Sequence, residues 1–134
     1  MAYSKIYYHV VWTTRNRAHV ILEDIETLLY QFIRNKINNL GGYLHAINGV
    51  SDHVHLVVTI PVTIPISRFI GQIKAVSSTR INKTCFEIGQ FKWQAGYSIF
   101  TIGRKELPYI IEYVKNQKLH HANGTINKIL ESIS

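Results

Sequence analysis

The feature that most constrains the fold is a pair of strand-like segments, Tyr43–Asn48 and His53–Ile60, separated only by Gly49-Val50-Ser51-Asp52. A link that short joins antiparallel neighbours as a hairpin. The hairpin is preceded by a strand and a helix. Residues 5–13, KIYYHVVWT, are rich in β-branched and aromatic types and read as a strand. After a polar basic loop (Arg15, Asn16, Arg17), Glu23 to Leu40 reads as a helix. Glu23, Asp24 and Glu26 suit the positive end of its dipole, and Leu28, Leu29, Phe32, Ile33 and Ile37 recur at helical spacing. Gly41-Gly42 stops it.

Beyond the hairpin the order repeats. Pro61 and Pro65 close the second strand, and Ile66 to Cys85 reads as a helix with Phe69, Ile70, Ile73 and Val76 inward. Tyr97–Ile102 reads as a last strand, a helix follows over about 105–121, and a short tail covers 122–134. The order is β-α-β-β-α-β-α. Its first six elements are the ferredoxin-like βαββαβ pattern, an α+β fold with one antiparallel sheet. Right-handed crossovers place strand three beside strand one in its centre. The expectation is a sheet with helices on one face, the other face free for a substrate or a second subunit, and an added C-terminal helix. With no repeat, low-complexity stretch or linker, residues 1–134 read as one domain.

Strand three carries the sharpest chemistry. Side chains alternate along a strand, so His53 and His55 share one face while Val54, Leu56 and Val58 share the other. Three apolar residues in phase make a core side. Two neighbouring imidazoles on the open side are well placed to share a metal ion. Fifteen Lys plus Arg against eight Asp plus Glu give a formal charge of +7 and a pI near 9.6, which favours a polyanionic partner such as nucleic acid. The single Cys85 excludes an internal disulfide and a multi-cysteine zinc site. The N-terminal stretch does not read as a signal peptide and no apolar run is long enough for a membrane helix, so a cytoplasmic protein is expected.

In the last helix, Leu107, Ile110, Ile111 and Val114 form the apolar stripe expected to be buried. Tyr113 and Gln117 stand four apart, on a common flank outside that stripe. Spacing makes them co-facial and no more.

Four segments together resemble a known family. They are Tyr8-His9-Val10-Val11-Trp12-Thr13-Thr14, Asp52-His53-Val54-His55-Leu56, Trp93-Gln94-Ala95-Gly96-Tyr97, and the run from Tyr113 through Gln117 to His121. A His-hydrophobic-His strand followed by a Tyr-x-x-x-Gln helix is similar to the single-tyrosine HUH transposases, the TnpA-type enzymes of small bacterial insertion sequences. The short tail after His121 fits the compact insertion-sequence type rather than relatives with longer extensions.

The resemblance implies that His53, His55 and Gln117 hold a divalent metal, Mg²⁺ or Mn²⁺, and that Tyr113 is the nucleophile. It implies cleavage and rejoining of single-stranded, hairpin-bearing DNA ends through a 5′-phosphotyrosine. It also implies a homodimer in which the tyrosine helix of one subunit completes the histidine site of the other. Two imidazoles and an amide oxygen suit Mn²⁺, with Mg²⁺ favoured by abundance. Zn²⁺ is a rival, but no Cys or third His stands in register to complete such a site. Candidate phosphate contacts are Arg15, Arg17, Lys74, Arg80 and Lys83, with Lys5, Lys92 and Arg104. Trp93 and Tyr97 are candidates for stacking on bases or for core packing.

Three other readings remain open at this level. A basic βαββαβ sheet is also the outline of an RNA-recognition module, although strand three lacks the aromatic pattern such modules use. A metal-dependent hydrolase would use the histidines to activate water. An HUH nuclease of replication or conjugation would share the site, usually within a larger protein.

Overall fold

The computed structural model describes residues 6–86, 90–124, 127 and 130–131. Its elements run β1 (Tyr7–Thr13), α1 (Glu23–Asn39), β2 (Tyr43–Val50), β3 (His53–Thr59), α2 (Ile66–Cys85), β4 (Ser98–Ile102), α3 (Leu107–Lys115) and α4 (Gln117–Asn123), with a single 3-10 turn at Arg15–Arg17. The sheet order is β2-β3-β1-β4 with every pair antiparallel. The ferredoxin-like order is therefore present, with β3 and β1 central.

The hairpin is tighter than expected. β2 runs on to Val50, leaving Ser51 and Asp52 as the turn. Pairing continues through Asn48↔His55, Gly49↔Val54 and Val50↔His53. Gly49 is needed there, because a Cβ on it would stand 2.1 Å from the His53 carbonyl oxygen. At the far end of β2, α1 closes with Gly41 at φ +84. The Gly42 amide reaches the Ile37 carbonyl (2.9 Å) and the Gly41 amide that of Asn38 (3.1 Å). These two bonds satisfy orphan carbonyls at the helix end and turn the chain into the sheet.

One face of the sheet packs under α1 and α2. Val10 and Trp12 of β1, Leu44 of β2, and Val54, Leu56 and Val58 of β3 meet Leu29, Phe32, Ile33 and Ile37 of α1 and Phe69, Ile70 and Ile73 of α2. Val76, expected inward, is only half-buried, while Ser77 and Ile81 are buried instead.

The opposite face is not free. α3 and α4 lie across it, and a second apolar cluster of Ala46, Val57, Ile102, Ile110 and Val114 closes between them and the sheet. The C-terminal helix therefore docks on its own chain. It is also two helices: Asn116 leaves helical geometry at φ −98, ψ 21, ending α3 and starting α4. Asparagine is a poor helix former that favours such boundaries. The Asn48 side chain caps this break by donating to the Lys115 carbonyl at 2.7 Å. Lys118 then ties α4 down, contacting Asn48 Oδ1 (2.6 Å), the Gly49 carbonyl (3.1 Å) and Glu26 (2.9 Å).

Candidate active site

β1 and β3 supply the floor of the site through strand alternation. Val10 and Trp12 enter the α1/α2 core, so His9, Val11 and Thr13 face the other way. In the register Val11 stands opposite His55 and Thr13 opposite His53. His53 and His55 do share a face, as strand phase requires, but that face is covered: their relative exposures are 1% and 0%.

Each imidazole is oriented by a neighbour. His53 Nδ1 lies 2.7 Å from Asp52 Oδ1, and the other Asp52 oxygen accepts from Arg17 Nε at 2.9 Å. Arg17 reaches it from a loop where Asn16 and Arg17 have φ of 57° and 54°. That left-handed geometry costs non-glycine residues energy and is held here by the Asp52 contact and the Thr14 carbonyl, which accepts the Arg17 amide at 3.1 Å. His55 Nδ1 lies 2.8 Å from Nε2 of the fully buried His9. Carboxylate or imidazole partners of this kind fix ring orientation and are the usual support for metal-binding histidines.

α3, α4 and the tail supply the roof. Tyr113 and Gln117 lie on the sheet-facing side, at 3% and 0% exposure, rather than outside the buried stripe. Ile111 and Leu107 are the half-buried ones. Gln117 Oε1 is 3.3 Å from His53 Nε2, and the Tyr113 ring centre is 6.3 Å from that of His55. The structure thus brings together all four residues that the resemblance singled out.

Three further residues join them. Glu131, in the tail, places Oε1 2.9 Å from His55 Nε2 and 3.3 Å from His53 Nε2. Its Oε2 accepts the Tyr113 hydroxyl and, at 3.1 Å, the Gln117 amide. His121 approaches the same carboxylate at 3.2 Å, with its ring centre 5.0 Å from that of His53. With His9, the site contains four histidines, but His9 lies against His55 Nδ1, away from the Nε2 side, and among the described residues the ligand cluster takes in only His53 and His55 of the four. His9 was accessible from the strand-one phase once β1 was set beside β3. Glu131 carried no comparable signal.

Electrostatics follow from this crowding. Burial pulls His9 down to about 3, helped by His55, so it stays neutral. Burial also lowers His53, but hydrogen bonds to Glu131 and Asp52 outweigh it and the net shift is upward. For His55 burial prevails and the shift is downward. Burial would raise Glu131, yet its bonds to His53 and His55 hold it well below the usual carboxylate range. Tyr113 is pushed up to about 12, first by burial and then by its bond to Glu131. The phenol is therefore protonated in this arrangement.

The donor set fits a divalent cation. His53, His55 and Glu131 offer ligand atoms all within 4.8 Å of one another, and Gln117 adds an amide oxygen. Among the described residues, no cysteine is close enough to join them.

Of the basic candidates, Arg17 is engaged by Asp52 and Lys74 donates to the Gln94 and Gly96 carbonyls at 2.7 and 2.8 Å. Lys74 thus staples a loop rather than offering a free charge. Arg80 lies 4.8 Å over the Phe32 ring, and Arg15, Lys83, Lys92 and Arg104 are exposed. Lys5 lies outside the described residues. Trp93 is a packing residue, edge-on to Trp12 and Phe91 with its indole donating to Ser77 at 3.0 Å. Tyr97 also packs against the core. No described helix is long and apolar enough to cross a membrane.

Comparison with known proteins agrees with this geometry. The chain is 23% identical over 115 residues to the ISDra2 transposase TnpA of Deinococcus radiodurans, covering 82% of each. Among solved structures, it superposes on a candidate transposase from Deinococcus radiodurans R1 with a TM-score of 0.71, at 24% identity over 87% of this chain and 95% of that one. It also superposes on a REP-associated tyrosine transposase bound to a REP hairpin, with a TM-score of 0.68 at 16% identity, over 90% of this chain and 74% of that one. These two likenesses speak to the fold. Residues 2–117 match the family described as IS200-like transposases, which spans the strand histidines, Tyr113 and Gln117, and the chain belongs to that family.

Proposed function

We propose that this transposase cleaves and rejoins single-stranded DNA at insertion-sequence ends, with Tyr113 as nucleophile and a divalent ion, Mg²⁺ or Mn²⁺, held by His53, His55 and Gln117. The observation that carries this reading is the convergence of the Tyr113 hydroxyl, Gln117 and both histidine Nε2 atoms on one small buried volume. Tyr113 Oη attacks phosphorus, forming the O–P bond of a 5′-phosphotyrosine. The P–O3′ bond breaks, the phenolic proton leaves, and the departing 3′ oxygen takes up a proton. The exchange of one phosphodiester for another conserves the energy needed to rejoin strands. The bound ion would polarise the non-bridging phosphoryl oxygens.

The protein's own residues do the positioning. Asp52 and Arg17 hold His53, His9 holds His55, and the Ile110–Val114 contact fixes the depth of Tyr113 above the sheet. Tyr113 is protonated and buried, its hydroxyl donating to the Glu131 carboxylate. Exposed Arg15, Lys83, Lys92 and Arg104, with Arg17 and Arg80, are assigned to backbone phosphates of a hairpin substrate. The solved relative bound to a REP hairpin supports that substrate class. One domain over 1–134, acting in the cytoplasm where its DNA is, completes the assignment.

We also infer a homodimer in which Tyr113 serves the partner's histidines. Gly103–Glu106, between β4 and α3, is the segment whose redirection would convert the single-chain arrangement into the exchanged one.

Incubation with single-stranded hairpin oligonucleotides and Mn²⁺ should give an SDS-resistant protein–DNA adduct, absent for Tyr113→Phe and after chelation. Cleavage that survives Tyr113→Phe would establish a water-activating hydrolase instead. Tight binding without cleavage across a broad hairpin panel would favour a binding module. Mixing Tyr113→Phe with His53→Ala tests the exchange: recovered adduct means tyrosine acting in trans, none means in cis.

A further inference from the structure

We propose that Glu131 is itself a ligand of the divalent ion, completing a His53–His55–Glu131 set with Gln117 beside it. The inference rests on the metal-bearing reading above and adds a residue from beyond Gln117, where the family match ends.

Asp52 is ionised and has only acceptors to offer, so the 2.7 Å contact places the His53 proton on Nδ1. Nε2 is then the ring nitrogen aimed into the site. It faces two acceptors, Gln117 Oε1 at 3.3 Å and Glu131 Oε1 at 3.3 Å. Two acceptors converging on one ring nitrogen in a buried volume call for positive charge among them, an ion or a proton. The ion pairs of Glu131 among the described residues are all with histidines, none with lysine or arginine. Its side chain is 10% exposed. A carboxylate so placed has no permanent counter-charge of its own.

With bonds of about 2.1 Å, neighbouring ligand atoms stand about 3.0 Å apart in octahedral geometry and about 3.4 Å in tetrahedral geometry. The spacings from Glu131 Oε1 to His55 Nε2 and His53 Nε2 are 2.9 and 3.3 Å, two edges of such a polyhedron. A hard anionic oxygen also suits Mn²⁺ or Mg²⁺ better than a neutral amide does. Glu131 Oε2 meanwhile accepts the Tyr113 hydroxyl, so one carboxylate links ion and nucleophile.

The competing account is a proton in place of the ion, with Glu131 as a buried partner of protonated histidine that excludes metal. Mn²⁺ binding separates the two. The full chain is stripped with EDTA, dialysed and titrated with Mn²⁺, and free ion is read by its EPR signal for wild type, Glu131→Gln and Glu131→Asp, with circular dichroism as the folding control. Loss of a ligand should weaken Mn²⁺ binding by about tenfold or more in Glu131→Gln, and by a smaller factor in Glu131→Asp, whose carboxylate is one methylene short. Glu131→Gln binding within about twofold of wild type, or more tightly, overturns the assignment. Should Glu131→Gln fail to fold, unchanged affinity in Glu131→Asp overturns it equally. Wild type that binds no Mn²⁺ refutes the metal in the proposed function as well, whereas undiminished binding by the variants refutes only the role of Glu131.

Discussion

Replacing Asp52 with Asn probes the support of the histidine site without touching the Tyr113 hydroxyl or either metal-facing Nε2. The Asp52 carboxylate accepts from His53 Nδ1 at 2.7 Å and from Arg17 Nε at 2.9 Å. Asparagine keeps one acceptor and turns the other into a donor, so either His53 or Arg17 must face an N–H with its own N–H. The backbone bond from the Thr14 amide to the Asp52 carbonyl, 2.9 Å, is unaffected. A charge-assisted hydrogen bond is worth roughly 1.5–3 kcal/mol, and the Arg17 partner, with a side chain 55% exposed, is discounted for solvent screening. A net loss of about 1–2 kcal/mol follows, or roughly 3–8 °C in Tm for a chain of this size. The freed His53 ring should also weaken Mn²⁺ binding by about tenfold.

The penalty has a pH window in metal-free protein. Burial would raise Asp52, but its bonds to His53 and Arg17 prevail and its pKa is lowered. Its contribution is present above the ordinary value of 3.8 and is lost as pH falls through the depressed one. His53 is raised despite burial, so its contribution is full below 6.5 and declines as pH rises through the higher value. The Tm gap between wild type and Asp52→Asn should therefore be widest between these limits and narrow on either side. Differential scanning fluorimetry across pH, with EDTA present, measures it. Equal Tm at pH 5–6 together with equal Mn²⁺ affinity would refute the claim that Asp52 organises the site.

Other outcomes follow from the same geometry. His9→Phe fills a fully buried position but leaves His55 Nδ1 without its partner, so Mn²⁺ affinity should drop by about tenfold while far-ultraviolet circular dichroism stays native. Absorbance at 295 nm should show Tyr113 still protonated at pH 11 alongside Tyr30, which burial and Glu26 also raise, and one tyrosine fewer in that set for Tyr113→Phe; because the folded pKa of Tyr113 is raised to about 12, its stabilisation is full below the unfolded value of 10.0 and is lost as pH rises through the folded one. Leu56→Ala, at 1% exposure on the α1/α2 side of β3, should cost about 2–5 kcal/mol in urea unfolding.

The backbone plan was legible because it rests on local signals. The short link between β2 and β3, the acidic start of α1 and its Gly41 exit, and the alternation of β3 all lie within short windows, and β-α-β-β-α-β order with right-handed crossovers leaves little choice of sheet, although the turn itself is two residues shorter than the sequence suggests. The pairing of His53 with His55 came from that alternation alone. What the sequence hid lies in long-range docking. Glu131 reaches His55 across 76 positions with no periodicity to mark it. The packing of α3 and α4 on the second face depends on small and branched residues such as Ala46 and Val57. In a strand sequence these read equally well as solvent-facing or covered. Periodicity ranks apolar residues first and so sets Tyr113 and Gln117 off the buried stripe, whereas both are buried. A buried hydroxyl and amide become visible only with their partners in place.

The β2–β3 hairpin has a further consequence for how such a chain can change over time. Its two-residue turn and the Gly49–Val54 pairing lock β3 in register. Since faces alternate with period two, inserting or deleting a single residue in β3 would send Val54, Leu56 and Val58 into the catalytic space and both histidines into the apolar core. The metal site and the core are thus written on opposite sides of one ribbon, and length variation there is lethal to both at once. Novelty has to enter elsewhere, through the loops and the C-terminal elements that roof the sheet without belonging to it.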